Sequence, residues 1–121
     1  MNMPEHLPLN EFIDIVLDLT KGLAAIHAQN LIHRDIKPEN IICVERTYKI
    51  TDFGSLQQGL QGEQRIGTPL YLPPEMLGED ECRYDQKIDV WSLGVSLFEA
   101  YFRIHPFYYG KEEGSIREVY K

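Results

Sequence analysis

Between Asp89 and Phe102 the chain carries apolar side chains on nearly every side of a helix, beginning with the run Asp89-Val90-Trp91-Ser92-Leu93-Gly94. A helix of that kind is stable only where other elements cover it, so the rest of the chain has to wrap around it as the centre of a domain. His105, Pro106 and Phe107 are expected to end it. A second helix is expected over residues 11 to 29, where Phe12, Ile13, Val16, Leu17, Leu23, Ala24 and Ile26 recur at helical spacing. Asn10 suits its N-cap and Asn30 its stop.

The stretch between the helices reads differently. Pro38 interrupts it, and the short β-rich pieces Ile41 to Val44 and Tyr48 to Thr51 predict a loop followed by a small hairpin. Residues 55 to 70 hold Gly59, Gly62, Gly67 and several glutamines without apolar periodicity, which predicts a mobile loop, and a long loop inside a compact domain is usually functional. A short helix is expected after Pro73 and Pro74. No repeat or linker divides the chain, so the expected class is mainly α with short β hairpins (α+β).

A chain of 121 residues with 43% hydrophobic content can bury one core. Its net charge of -7 argues against a nucleic-acid or anionic-membrane partner, because binding to a polyanion is driven by Lys and Arg neutralising phosphates. Residues Met1 to Leu9 show no basic start followed by an apolar run, and no uncharged apolar stretch approaches the roughly 20 residues that span a bilayer. Cys43 and Cys82 lie far apart and match no metal-ligand spacing, which suits free thiols in a reducing intracellular, cytoplasmic setting.

The chemistry-bearing residues fall into ordered blocks: His33-Arg34-Asp35-Ile36-Lys37-Pro38-Glu39-Asn40, then Asp52-Phe53-Gly54, then Gly67-Thr68-Pro69 and Pro73-Pro74-Glu75, then Asp89 to Gly94. Taken singly, an Asp-x-Lys pair or an Asp-Phe-Gly triplet is most often a turn or a solvated ion pair. In series they closely resemble the signature set of the eukaryotic-type Ser/Thr protein kinase family, over roughly residues 10 to 107. The resemblance implies the C-terminal lobe of the protein-kinase-like fold, with residues 1 to 121 as a partial kinase domain. It also implies transfer of the γ-phosphate of ATP, with magnesium, to Ser or Thr hydroxyls of a protein substrate.

Such transfer needs the acceptor hydroxyl in line with the γ-phosphate and the charge on the phosphate oxygens neutralised. By resemblance, Asp35 is the catalytic base, Lys37 contacts ATP and stabilises the transferred group, and Thr68 bridges the two. Asn40 and Asp52 supply the hard oxygens that suit magnesium, while Ile42, with Ile41 and Cys43, forms an adenine floor. Gly67, Thr68, Pro69, Leu70 and Tyr71 make up the substrate-facing segment. His33 and Phe53 stack beneath the site, Gly54 completes the metal-binding triplet, and Asp89 anchors the loop backbone from the central helix. Lys37 and Thr68 at these places imply Ser/Thr rather than Tyr acceptors. The segment Tyr71-Leu72-Pro73-Pro74-Glu75 resembles that of Aurora-like kinases without assigning a subfamily.

Departures from the pattern matter as much. The glycine-rich loop, the Val-Ala-Ile-Lys strand and the glutamate pairing with that lysine are not among these residues, nor is the arginine expected to pair with Glu75, which should be unpaired or solvated. Without the upper clamp the chain alone is expected to be inert, since this catalysis is positioning plus electrostatics. Arg34 in the family grips a phosphorylated activation-segment residue, yet no Ser, Thr or Tyr lies between Leu56 and Gly67. Ser55 and Thr68 are the nearby hydroxyls, and Glu63 is a candidate fixed charge. Ser96 and Ala100 stand where the family places larger groups beneath the adenine, predicting a looser floor. Two functions compete: part of an active kinase, favoured by the presence of Asp35, Lys37, Asn40 and Asp52, and a non-catalytic, inhibitory kinase-lobe module that docks on a partner kinase.

Overall fold

The computed structural model describes residues 7–59, 61–78 and 82–107. Helix α1 spans Leu9–Ala28. It starts ahead of the expected Asn10 cap because the Pro8 carbonyl already accepts a bond from Phe12 N at 2.9 Å. It stops where expected: Asn30 takes a left-handed φ of 59° and its N–H bonds the His27 carbonyl, the kind of C-terminal closure that Asn tolerates.

The inward stripe of α1 differs from the expected one. Ile15, Leu19 and Leu23 are buried, at i, i+4 and i+8, while Ile13, Ala24 and Leu17, the last 51% exposed, face outward. The helix carries apolar residues on more than one face, so its periodicity does not choose between stripes. Its partners do: Ile36, Ile41, Ile50 and Leu93 close around Ile15, Leu19 and Leu23 to form the first core.

Strand β1 is the short Leu31–Ile32, followed by a 3-10 turn at Pro38–Asn40. Strands β2 (Ile41–Val44) and β3 (Thr47–Ile50) pair antiparallel in the expected hairpin, in register Ile41↔Ile50 through Val44↔Thr47. The two-residue loop Glu45-Arg46 has positive φ at both positions, which matches the twist of a tight hairpin but is normally filled by Asn-Gly or Asp-Gly.

Residues 55 to 70, expected to be a mobile loop, are tied down at two places. Strand β4 (Gln57–Gln58) pairs antiparallel with β1, and β5 (Gln61–Gly62) pairs antiparallel with β6 (Tyr84–Asp85). Bridges of two residues leave no sequence period to detect. After Pro73 the short helix is a single 3-10 turn, Pro74–Met76.

Helix α2 covers Lys87–Phe102 and ends at Arg103 in a left-handed conformation, ahead of His105-Pro106-Phe107. It is not covered all round. Ile88, Asp89, Ser92, Leu93, Val95, Ser96 and Ala100 are buried, whereas Val90, Gly94 and Phe102 are exposed. The inward side is partly polar because its polar groups serve as internal hydrogen-bond partners: Ser92 Oγ donates to the Tyr71 carbonyl, and Ser96 Oγ, one turn on, to the Ser92 carbonyl. Ser96 therefore belongs to the side of α2 that meets Tyr71 rather than to a floor under Ile42. A second core gathers Ile32, Leu72, Met76, Leu77, Cys82, Tyr84 and Ile88. Residues 33 to 35 thus run between two cores, Ile32 being anchored in one and Ile36 in the other.

Candidate active site

The loop after β1 is held from below by one carboxylate. Asp89 is 0% exposed, and its Oδ2 accepts from His33 N at 2.8 Å while Oδ1 accepts from Arg34 N at 2.9 Å. His27 Nε2 also lies 2.8 Å from Asp89 Oδ2. A buried carboxylate is stable when each oxygen meets donors, and backbone N–H groups are rigid ones. The His33 ring is fixed as well: Asp35 N donates to Nδ1 at 3.1 Å, so Nδ1 accepts and Nε2 carries the proton given to the Thr51 carbonyl at 3.0 Å. Phe53 packs edge-on against this ring with centroids 5.6 Å apart.

These constraints aim Asp35. Its Oδ1 accepts from the Thr68 hydroxyl at 2.8 Å, and that hydroxyl oxygen accepts from Lys37 Nζ at 2.9 Å. Lys37 Nζ stands 3.8 Å from Asp35 Oδ2, and Asn40 Nδ2 donates to the Asp35 carbonyl at 2.8 Å and approaches Oδ2 at 3.4 Å. Three side chains, from as far as 33 positions away, therefore meet around one partly buried carboxylate. Thr68 reaches it because Gly67, at φ 109°, lies against the Arg34 carbonyl; a Cβ there would stand 2.5 Å from that oxygen.

Asp52 is exposed, with a left-handed φ of 61°, and its Oδ1 accepts from Gly54 N. The neighbouring Thr51 N–H bonds the Asn40 carbonyl at 2.8 Å, so Asp52 follows directly from the strand that flanks Asn40. Among the described residues no group of three or more His, Cys, Asp or Glu could hold a metal ion. The Asn40 and Asp52 pair is a sparser set, one amide and one carboxylate oxygen, and fits a hard cation that takes its other ligands from phosphate and water.

Other expected site residues are placed differently. Ile41 is buried in the first core, which removes it from any adenine floor, while Ile42 is 44% exposed on the hairpin's outer side. Pro69 is exposed and Leu70 half-buried, but Tyr71 is buried, and its hydroxyl donates to Glu99 at 2.8 Å. Burial and the Glu99 carboxylate push the Tyr71 hydroxyl well above the usual tyrosine range. Tyr71 is core rather than substrate-facing. Glu75 is exposed and borders a cavity of about 700 Å³ that Glu63 and Arg83 also line. Arg34 does not meet Glu63; its partners among the described residues are Ser55, Gln57 and Tyr84. Nothing in the sequence pointed to His27, Gln57 or Tyr84, whose side chains meet partners remote in sequence: Asp89 for His27, and Arg34 for Gln57 and Tyr84.

Comparisons with known proteins agree on a family. A family model for the protein kinase domain matches residues 2–121. Serine/threonine-protein kinase TAO3 of Xenopus laevis is 43% identical over 90 residues, covering 73% of this chain and 10% of that protein. Serine/threonine-protein kinase TIO of Arabidopsis thaliana is 37% identical over 120 residues, covering 95% of the chain and 9% of that protein. Serine/threonine-protein kinase Tao of Drosophila melanogaster is 39% identical over 101 residues, covering 82% and 10%. The chain belongs to the eukaryotic-type Ser/Thr protein kinase family. It spans about a tenth of the length of these relatives. Among the described residues no helix is long and apolar enough to cross a membrane.

Proposed function

We propose that residues 1 to 121 are the C-terminal lobe of a kinase domain that transfers the γ-phosphate of ATP to Ser or Thr hydroxyls of a protein substrate. The observation that carries this reading is the Thr68 hydroxyl, which joins Lys37 Nζ to Asp35 Oδ1.

Asp35 Oδ1 is committed to Thr68, so Oδ2 is the oxygen left to receive a substrate hydroxyl. Lys37 places one of its three donors on Thr68 and keeps the others for phosphate oxygens. As the substrate oxygen bonds the γ-phosphorus, the bond from that phosphorus to the β–γ bridging oxygen breaks, ADP leaves, and the hydroxyl proton passes to Asp35. Asn40 and Asp52 would hold magnesium, which when bound neutralises the phosphate oxygens and orients them. Asn40 keeps its Nδ2 on Asp35, leaving Oδ1 as its metal-facing atom. Pro69 and Leu70 are the accessible residues beside Thr68 for an acceptor peptide.

The 121-residue chain alone is inert on this reading, since residues that clamp the β- and γ-phosphates from above are not among its own. The test is transfer of labelled phosphate to a Ser/Thr peptide by the full-length gene product. Asp35→Asn should lower kcat by about 10²-fold or more. An Asp35→Asn protein as fast as the parent would overturn the assignment, and peptide phosphorylation by the isolated chain would overturn its inertness.

A further inference from the structure

Arg34 is a buried cation, 7% exposed, whose hydrogen-bond partners among the described residues include no carboxylate. Its Nε donates to the Ser55 carbonyl at 2.6 Å, and its Nη1 donates to Gln57 Oε1 at 2.9 Å and to the Tyr84 hydroxyl at 3.2 Å. The two side-chain partners do not end there. The Gln57 amide nitrogen donates onward to the Gln61 carbonyl, and the Tyr84 hydroxyl donates to the Gln64 carbonyl at 2.6 Å. Each is a relay with one end on the guanidinium and the other on the backbone of the segment leading to Gly67 and Thr68.

A tyrosine hydroxyl has one proton, and the 2.6 Å bond to Gln64 uses it, so its oxygen is left to accept from Arg34. The Gln57 amide likewise accepts through oxygen and donates through nitrogen. The fit is close: a Cβ on Gly62 would stand 2.5 Å from both Gln57 Oε1 and the Tyr84 ring. Arg34 itself has a left-handed φ of 74°, and its carbonyl is the atom against which Gly67 packs. The guanidinium thus couples Gln57, Gln61 and Gln64 to the turn that delivers Thr68 to Asp35.

From this we infer that Tyr84 and Gln57 are positioning residues that hold the segment before Thr68 onto Arg34 without any added phosphate. The inference rests on the kinase reading above and concerns the regulation of the same site. A phosphate on such a segment orders it by bonding an arginine. Here two neutral relays span the same gap, and no Ser, Thr or Tyr lies between Leu56 and Gly67 to carry one. The site is therefore set in its working geometry by folding alone.

The experiment uses the full-length gene product, before and after phosphatase treatment checked by mass spectrometry, together with Tyr84→Phe, which keeps the ring against Gly62 and removes only the relay oxygen. The parent should keep its kcat after dephosphorylation. Tyr84→Phe should lose about tenfold or more in kcat, the loss expected of a misplaced Thr68, with KM for ATP unchanged and the protein still folded at the assay temperature. Tryptic cleavage after Arg65 should also become faster in Tyr84→Phe. A parent whose activity disappears with a phosphate removed from Ser55 or Thr68 overturns the inference, as does a Tyr84→Phe protein with the parent's kcat. An untreated parent that transfers no phosphate, indistinguishable from Asp35→Asn, overturns the kinase reading itself and this inference with it.

Discussion

The Asp89 carboxylate ends 2.8 Å from the backbone nitrogen of His33, across 56 positions of sequence, and with Arg34 N it makes a buried two-point grip. Asp89→Asn would turn an amide donor toward one of those N–H groups and leave a buried donor unmet. The expected cost is about 2 to 3 kcal/mol of folding stability. A lower guanidinium midpoint in chemical denaturation checks it; an unchanged midpoint would mean that the grip contributes nothing to stability.

Gly67→Ala introduces a Cβ 2.5 Å from the Arg34 carbonyl and 2.9 Å from Leu72 Cδ2, at a φ that L residues rarely adopt. Backbone has to move, and the expected loss is about 1 to 3 kcal/mol, with a fall in kcat because Thr68 follows directly. Thermal denaturation and phosphotransfer rates on the same protein separate the two effects.

The hairpin loop offers a gain. Glu45 and Arg46 both hold positive φ, at about 1 kcal/mol or more of strain each for an L residue. Replacing Glu45 with Asn and Arg46 with Gly suits this turn, and should raise stability by about 1 kcal/mol after the entropy cost of Gly. A rise in Tm without change in activity is the expected result.

Burial, with the hydrogen bond to Glu11 at 3.1 Å, pushes the Tyr48 hydroxyl up to about 12 from its usual 10.0. The folded state keeps this proton while the unfolded chain releases it, so stability is fully present below pH 10 and falls as pH rises toward 12. Tyr71, raised further by burial and Glu99, adds a loss of the same sign that continues above that window. Denaturation midpoints measured across alkaline pH should fall, and Tyr48→Phe should flatten the slope between pH 10 and 12.

How much of this was legible in the sequence depends on the kind of interaction. Asp35, Lys37, Asn40 and Thr68 could be named together because side-chain chemistry at fixed spacing marks them, and the fold brings them around one carboxylate. Asn30 and the Ile41 to Ile50 hairpin could be read from local turn and strand signals. The inward stripe of α1 could not, since Leu17 and Leu19 are equally apolar and only the packing of Ile50 and Leu93 decides between them. The substrate-facing expectation for Tyr71 departs from its burial because nothing local reveals that Glu99 and Ser92 await it inside. The Tyr84 relay was invisible for the same reason: it joins Arg34 and Gln64, remote from each other and from Tyr84 in sequence.

The central claim is that Lys37 and Thr68 act on Asp35 as one unit in phosphoryl transfer. The most direct measurement is the single-turnover rate of the full-length gene product carrying Lys37→Ala, Thr68→Ala and both changes. Residues that work as a unit lose most of their effect together, so the double variant should be scarcely slower than the slower single one. Losses that multiply, or singles that leave the rate of the parent intact, would contradict the account.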